Sequence, residues 1–167
     1  MRIVKITVLF AIFASISLFS TSCSKSEASK DDPTTSVSAD DPEMNAAISE
    51  ARESAQQFIT ALRSPKASQS DFCIKKRFDQ GENVEHIWLT DVTFDGQNFH
   101  GKVGNDPEEV TNVKFGDEAA VGKNEISDWM FIEDGKLIGG YTIKVLYSRM
   151  TLEGKMKFLE KVPFTIE

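Results

Sequence analysis

Few side chains in this sequence could do covalent chemistry. There are two cysteines, Cys23 and Cys73, and two histidines, His86 and His100. A thiol nucleophile needs a base within hydrogen-bond reach and an acid to orient that base. Cys73 lies in a stretch where Phe72, Ile74 and Phe78 alternate with Cys73, Lys75 and Arg77, which is strand patterning, whereas catalytic thiols favour helix N-termini. A hairpin register about the DQGEN turn places Lys76, not Cys73, opposite His86. The pattern therefore favours an inert, buried thiol. A hydrolase using Cys73 with His86 or His100 is the alternative.

Other chemistries find less. Two widely spaced histidines and one cysteine within the folded part do not make a zinc site, and Asp106-Pro107-Glu108-Glu109 lacks the alternating oxygen ligands of a calcium loop. Nothing singles out a glycosidase pair among the 26 acids. Gly139-Gly140 could present backbone N–H groups to a phosphate, but neither a Walker pattern nor a dinucleotide fingerprint is present. No metal, no cofactor and no catalytic residue is assigned. An interaction surface remains: Asn105, Asp106, Asp128, Trp129 and Tyr141 stand in or beside turns, and exposed Trp and Tyr anchor many interfaces. The competing reading makes Trp129 core and Asn105-Asp106 a hydrogen-bonded turn.

These residues must be delivered by the elements around them. MRIVKITVLFAIFASISLFSTSC begins with Arg2 and Lys5, continues through an apolar run too short to span a bilayer as a helix, and reaches Cys23 after small residues. Residues 1–22 read as a signal peptide, and the layout resembles that of bacterial lipoproteins, in which the cysteine becomes the acylated first residue. Ser20 stands where such signals usually carry leucine, and ordinary cleavage would expose Cys23 without lipid. A Cys23–Cys73 disulfide is then open. Loss of two cations and no acids takes the net charge from −7 to −9, which excludes a phosphate-backbone partner. Residues 23–41 are polar enough to read as a disordered tether.

One globular domain follows, over residues 42–167. Asp41-Pro42-Glu43 is a helix start, and Met44, Ile48, Ala51, Ala55, Phe58 and Leu62 form one apolar stripe ending at Ser64-Pro65. In VEHIWLTDVTFDG the alternation places Val84, Trp88, Val92 and Phe94 on one face of a central strand, with Ile87 and Leu89 on the other. Asn98–Val103 returns as a hairpin. Val110–Phe115, Glu118–Val121 and Ile126–Ile132 read as shorter strands, which suggests a curved antiparallel sheet or small barrel. Asp134-Gly135 suits a tight turn, with Trp129 and Phe131 on one face of the preceding strand and Met130 and Ile132 on the other. Thr142 is placed to cap a helix through Ile143, Leu146, Tyr147 and Met150, although a strand through Ile143, Val145 and Tyr147 competes. Thr151 is placed to cap a last one.

MNAAISEA, HIWLTD, GNDPEEV, ISDWM and GKLIGGYT stand in the order seen in the bacterial family catalogued as domain of unknown function 2314. The chain resembles that family from about Pro42 to Met150, and its cysteine-led start is similar to the YegJ-type members. The resemblance implies no activity, cofactor or site residue. Together these features describe an α+β domain, an N-terminal amphipathic helix on a curved, mainly antiparallel sheet with one or two C-terminal helices. It is expected in the bacterial cell envelope, anchored to the membrane through Cys23 and acting as a non-enzymatic binding module for a protein or peptide. Ser24 in place of the retention aspartate favours the outer membrane, facing the periplasm, by resemblance to known sorting; a soluble periplasmic or secreted form is the alternative. An immunity or inhibitor protein against an envelope toxin also fits the acidic balance.

Overall fold

The computed structural model describes residues 3–7 and 34–167. In chain order these form β1 (Ile3–Thr7), β2 (Thr34–Ser38), α1 (Pro42–Glu53), α2 (Ala55–Arg63), β3 (Gln69–Gln80), β4 (Asn83–Phe94), β5 (Asn98–Val103), β6 (Glu118–Gly122), β7 (Ile126–Glu133), β8 (Lys136–Gly139), α3 (Tyr141–Arg149) and α4 (Leu152–Lys161). Six strands lie in the order β6-β5-β4-β3-β7-β8, antiparallel throughout. The sheet is open, so among the described residues the fold is α+β with four helices and no barrel. A ladder of β1 and β2 joins it beside the first half of β4, with β1 parallel to β4.

Turn chemistry sets the central register. Gly81 adopts φ 63° in a two-residue turn, which pairs Gln80 with Asn83 and brings Arg77 opposite His86. That moves the expected pairing by one residue, because the five-residue DQGEN loop counted from sequence closes more tightly than its length suggests. Farther along β4 the ladder with β5 shifts between Thr90 and Thr93, where Asp91 sits at φ 51°. An extra residue in a strand reverses which face later side chains occupy. Val92 and Phe94 therefore join Ile87 and Leu89, not Val84 and Trp88.

Each face of the sheet has its own core. Ile74, Ile87, Leu89, Phe99, Trp129 and Phe131 meet Ala51, Ala55, Phe58 and Ile59 from the first two helices. On the opposite face Trp88, Met130 and Ile132 meet Leu137, Ile143, Leu146, Phe158 and Phe164. β7, buried on both sides, divides its side chains between the two cores, Trp129 and Phe131 against Met130 and Ile132.

The apolar stripe after Asp41 spans two helices rather than one. Asp41 Oδ1 accepts from the Met44 N–H at 3.0 Å, and Pro42 needs no partner at the first helical position. At Ser54 the backbone leaves helical geometry (φ −88°, ψ 0°), where the Trp129 indole N–H donates to Ala51 O at 2.9 Å and to Ser54 Oγ at 3.1 Å. Arg149 at the end of α3 clamps Asp41 and Glu43 at the start of α1, and its guanidinium holds the Asp41 carboxyl down at about 2.

Two further expectations are corrected. Residues 110–115 are not a strand; Val110 and Val113 are buried, but the surrounding backbone bonds to side chains rather than to a neighbouring strand. Glu85 takes the N–H groups of Glu108, Glu109 and Val110, while Gln80 Oε1 takes that of Thr111. A carboxylate and an amide replace a ladder there. α3 is the helix expected after Gly139-Gly140, but its N-cap is Gly140, in the left-handed region with no side-chain cap of its own, and not Thr142. Thr142 lies within the helix. Thr151 caps α4, accepting from the Gly154 N–H at 3.1 Å. Within the stretch expected to be a tether, Thr34–Ser38 is strand, and among the described strands it pairs with β1 alone. Cys23 and the remainder of residues 8–33 lie outside the described residues.

Candidate functional site

A chain of polar side chains runs through the second core. Asp128, on β7, accepts from the backbone N–H groups of Trp129 (2.8 Å), Tyr141 (3.1 Å) and Thr142 (2.8 Å) and from the Thr142 hydroxyl (2.6 Å). It thus caps α3 from outside the helix, and a carboxylate here suits the positive end of the helix dipole. The phosphate cradle that Gly139-Gly140 could have offered is already filled by this side chain. Lys75 donates from Nζ to Thr142 Oγ1 at 2.8 Å and lies 4.5 Å from the Trp88 ring centroid. Burial pushes the ammonium down to about 8, with Asp128 opposing, and burial pushes the Asp128 carboxyl up against Lys75 and the four donors. Since every one of its contacts is accepted, Asp128 is held as a carboxylate. Lysines depressed this far act as bases or nucleophiles in open sites. Lys75 is fully buried with its ammonium engaged, so it acts on structure.

The open site lies beside this chain. A cleft of about 670 Å³ is walled by one face of α1 (Met44, Asn45, Ile48, Ser49, Arg52) and by Val37, Ser38 and Ala39 at the end of β2. Lys76, Arg77, Asp79, His86 and Ser127 line it from the sheet, with Asn124 and Glu125 from the β6–β7 turn. Period explains the wall: 44, 48 and 52 share one helical face. Several charges are tied. Arg52 Nε donates to Ile126 O at 2.8 Å, Lys76 Nζ donates to Ala120 O, and Arg77 pairs with Asp79 at 2.6 Å.

On the cleft floor the His86 imidazole is hydrogen-bonded through Nδ1 to Ser127 Oγ at 2.7 Å. Ser127 reaches this place because the ladder between β3 and β7 shifts there: Lys75 pairs with Asp128, Lys76 with Ile126, and Ser127 is the residue left over. A serine against an imidazole is the arrangement of a nucleophile and its base. Two features remove that role. Burial, then Lys75 and Arg77, push the imidazole down to about 3, so it is a poor proton acceptor at neutral pH. Ser127 is 1% exposed. Sequence reasoning considered His86 only as a partner for Cys73 and missed Ser127, since a serine in an alternating strand gives no sign of the bulge that turns it.

Cys73 meets neither imidazole. It pairs with Met130 on β7, and burial, with Asp71 and Asp91 adding, pushes its thiol up to about 12. His100 lies on β5, bonded to Asp95 at 2.8 Å. Cys73 lines a separate, mostly apolar hollow of about 550 Å³ with Phe72, Trp88 and the exposed Phe115. Among the described residues, no group of three or more His, Cys, Asp or Glu gathers as a metal site would require, and no helix is long and apolar enough to cross a membrane.

The five residues expected at an interaction surface separate into two places. Asp128, Trp129 and Tyr141 come together where β7 meets α3, with Trp129 and Tyr141 rings edge to face at 5.7 Å. Trp129 and Asp128 are 0% exposed, so the pair is interior, and Tyr141 is half-buried against it. Asn105 is buried in the loop after β5, its Nδ2 donating to Asp106 O, while Asp106 is exposed. They do not make one surface.

The chain is 41% identical over 103 residues to "Uncharacterized protein YegJ" of Escherichia coli (strain K12), a stretch covering 62% of this chain and 66% of that protein. It is 43% identical over 75 residues to "Putative ankyrin repeat protein NMB1133/NMB1171" of Neisseria meningitidis serogroup B, covering 45% of this chain and 30% of that one. The chain thus spans less than two thirds of the length of either relative. No solved structure matches. The family model "Uncharacterized protein conserved in bacteria (DUF2314)" matches residues 41–165, and the chain belongs to that family.

Proposed function

We infer that this protein is a non-enzymatic binding module of the bacterial envelope, exported by residues 1–22 and anchored through an acylated Cys23. The domain holds a protein or peptide partner in the cleft between α1 and the β3–β4 hairpin, facing the periplasm from the outer membrane. The observation carrying this reading is the cleft floor. It presents hydrogen-bonding and cationic groups in a space of about 670 Å³, yet the imidazole of His86 is held neutral and Ser127, the serine bonded to it, is buried. Such a site recognises without transferring a proton. The raised Cys73 thiol weighs against the hydrolase alternative in the same way.

Two measurements test it. Mass spectrometry of the protein recovered from membranes should find a chain beginning at a diacylated or triacylated Cys23; a free N-terminus elsewhere would remove the anchor. Crosslinking in intact envelopes should give a defined adduct with the native domain that is lost in Ser49→Arg, which fills the cleft. An undiminished adduct with Ser49→Arg would place binding elsewhere.

A further inference from the structure

The cleft ends at a strand position that the domain's own hairpins leave open. β4 has β3 along one side from Asn83 to Leu89, but on the other side β5 pairs only from Leu89 onward. Gly104, just past β5, gives its N–H to Trp88 O at 2.8 Å, and the chain then turns away into the loop held by Glu85. Before Trp88 this edge of β4 is paired by β1, in parallel, with Lys5 opposite Glu85 and Ile6 opposite His86. β1 is drawn from the stretch read as a signal. Once it is removed, β2 loses its partner among the described strands and a row of backbone groups on β4 is left unmet.

We propose that in the exported domain this edge of β4 is a binding site for an extended segment of a partner protein, which adds to the sheet in parallel as β1 does in the full chain. The proposal rests on the export reading above and makes the peptide of that reading specific. Main-chain pairing at an unmet edge is a general mode of peptide capture, with affinity from the ladder and selectivity from alternate side chains. What the position accepts is visible in what fills it. Ile-Val-Lys-Ile-Thr is β-branched at four of its five residues and has neither proline nor glycine, so the segment is of high strand propensity. The position also adjoins the cleft. Ile6 pairs with Thr35 on β2 and with His86 on β4; the end of β2 (Val37, Ser38) and Ala39 after it line the cleft wall, while His86 supplies the floor. With β1 gone, the slot on β4 opens beside the cleft floor at His86.

The test begins with the whole chain. Residues 1–167 made by cell-free synthesis without signal peptidase keep β1 in place. A labelled peptide carrying Ile-Val-Lys-Ile-Thr should bind this chain weakly, because its own strand holds the slot closed. Ile6→Pro removes an N–H from β1 and cannot remain in the ladder. The peptide should bind the Ile6→Pro chain, and a chain starting at Ser24, about tenfold or more tightly than the unaltered chain, because the open fraction rises. Methylating alternate peptide nitrogens should abolish binding. Equal affinity for the unaltered and Ile6→Pro chains, equal binding of the methylated peptide, or no saturable binding to any chain would overturn the proposal. The family match starts at residue 41, so the Ser24 chain contains the whole matched region, and cooperative melting of each chain checks that it folds. Failure is separable from failure of the export reading. Retention of residues 1–22 in cells would sink export while leaving the Ile6→Pro result intact, and a processed N-terminus without peptide binding would sink only the strand site.

Discussion

The two faces of the sheet are held by different physics. Under α2 the face is aromatic and dry: Phe58 sits 5.5 Å from Trp129 and 5.8 Å from Phe99, and Phe72 stacks on Phe131 at 5.0 Å. Under α3 the face is crossed by Lys75, Thr142 and Asp128, with aliphatic and aromatic groups around them. A dry face is specified by volume, so many apolar sequences could fill it. A face carrying a buried charge is specified by partners, and a single unmatched group there is costly. The cleft borders the second kind. Its floor is fixed by side chains that cannot shift without leaving a buried polar group unmet.

The widest separation between the faces should come from truncating each at its centre. Trp129→Ala removes the largest buried side chain of the dry face and strips Ala51 O and Ser54 Oγ of their donor. A loss of about 3–5 kcal/mol is expected by urea unfolding. A loss under about 2 kcal/mol would mean that the aromatic cluster collapses around the hole and does not fix the break between α1 and α2.

On the polar face the expected result is an asymmetry. Asp128→Ala leaves three backbone N–H groups without their acceptor and Lys75 without its counter-charge, for a loss of about 3 kcal/mol. Lys75→Met replaces the stem with one of similar length and should change stability by less than about 1.5 kcal/mol. The two also differ in pH dependence. The folded Lys75 titrates at about 8 against an ordinary 10.5, so between these values the unfolded chain binds the proton and the folded one does not. Wild type should therefore gain stability relative to Lys75→Met as pH rises through that window. Comparing the two chains cancels Cys73, whose raised thiol acts in the opposite direction from 9.0 to about 12 in both. Equal losses for Asp128→Ala and Lys75→Met would show that the faces do not differ in kind.

How much of this could be read beforehand follows the same division. The dry face was legible, because burial writes itself as period: Phe58 in a helical stripe, Trp129 and Phe131 alternating with Met130 and Ile132. The helix caps at Asp41 and Thr151 were legible for a similar reason, since the capping residue and the N–H it serves are three apart in sequence. What was lost lies at bulges and long-range caps. Asp91 at φ 51° reversed the faces of Val92 and Phe94, and the shift after Lys75 turned Ser127 onto His86. Asp128 caps a helix fourteen residues later, and Glu85 holds a loop more than twenty residues away. No local pattern announces an acceptor at that distance, so GNDPEEV and ISDWM read as distinctive without revealing that each is a folded-in hydrogen-bond site.

The smallest expected effect sharpens the boundary between the polar face and the cleft. His86 titrates at about 3 in the folded protein against an ordinary 6.5, chiefly because it is buried. Between those values the unfolded chain takes up a proton that the folded chain refuses, so stability falls as pH drops below 6.5. Over the first unit, from pH 6.5 to 5.5, the loss should be about 1 kcal/mol, and urea midpoints at those two values measure it. His86→Gln keeps an amide to meet Ser127 but cannot titrate, and its midpoint should change less by that amount. If both chains lose stability equally, the imidazole already reaches solvent through the cleft and takes its proton in the folded state. The floor would then be able to change charge in mildly acid surroundings, and the distinction drawn between a recognising site and a proton-transferring one would fail at His86.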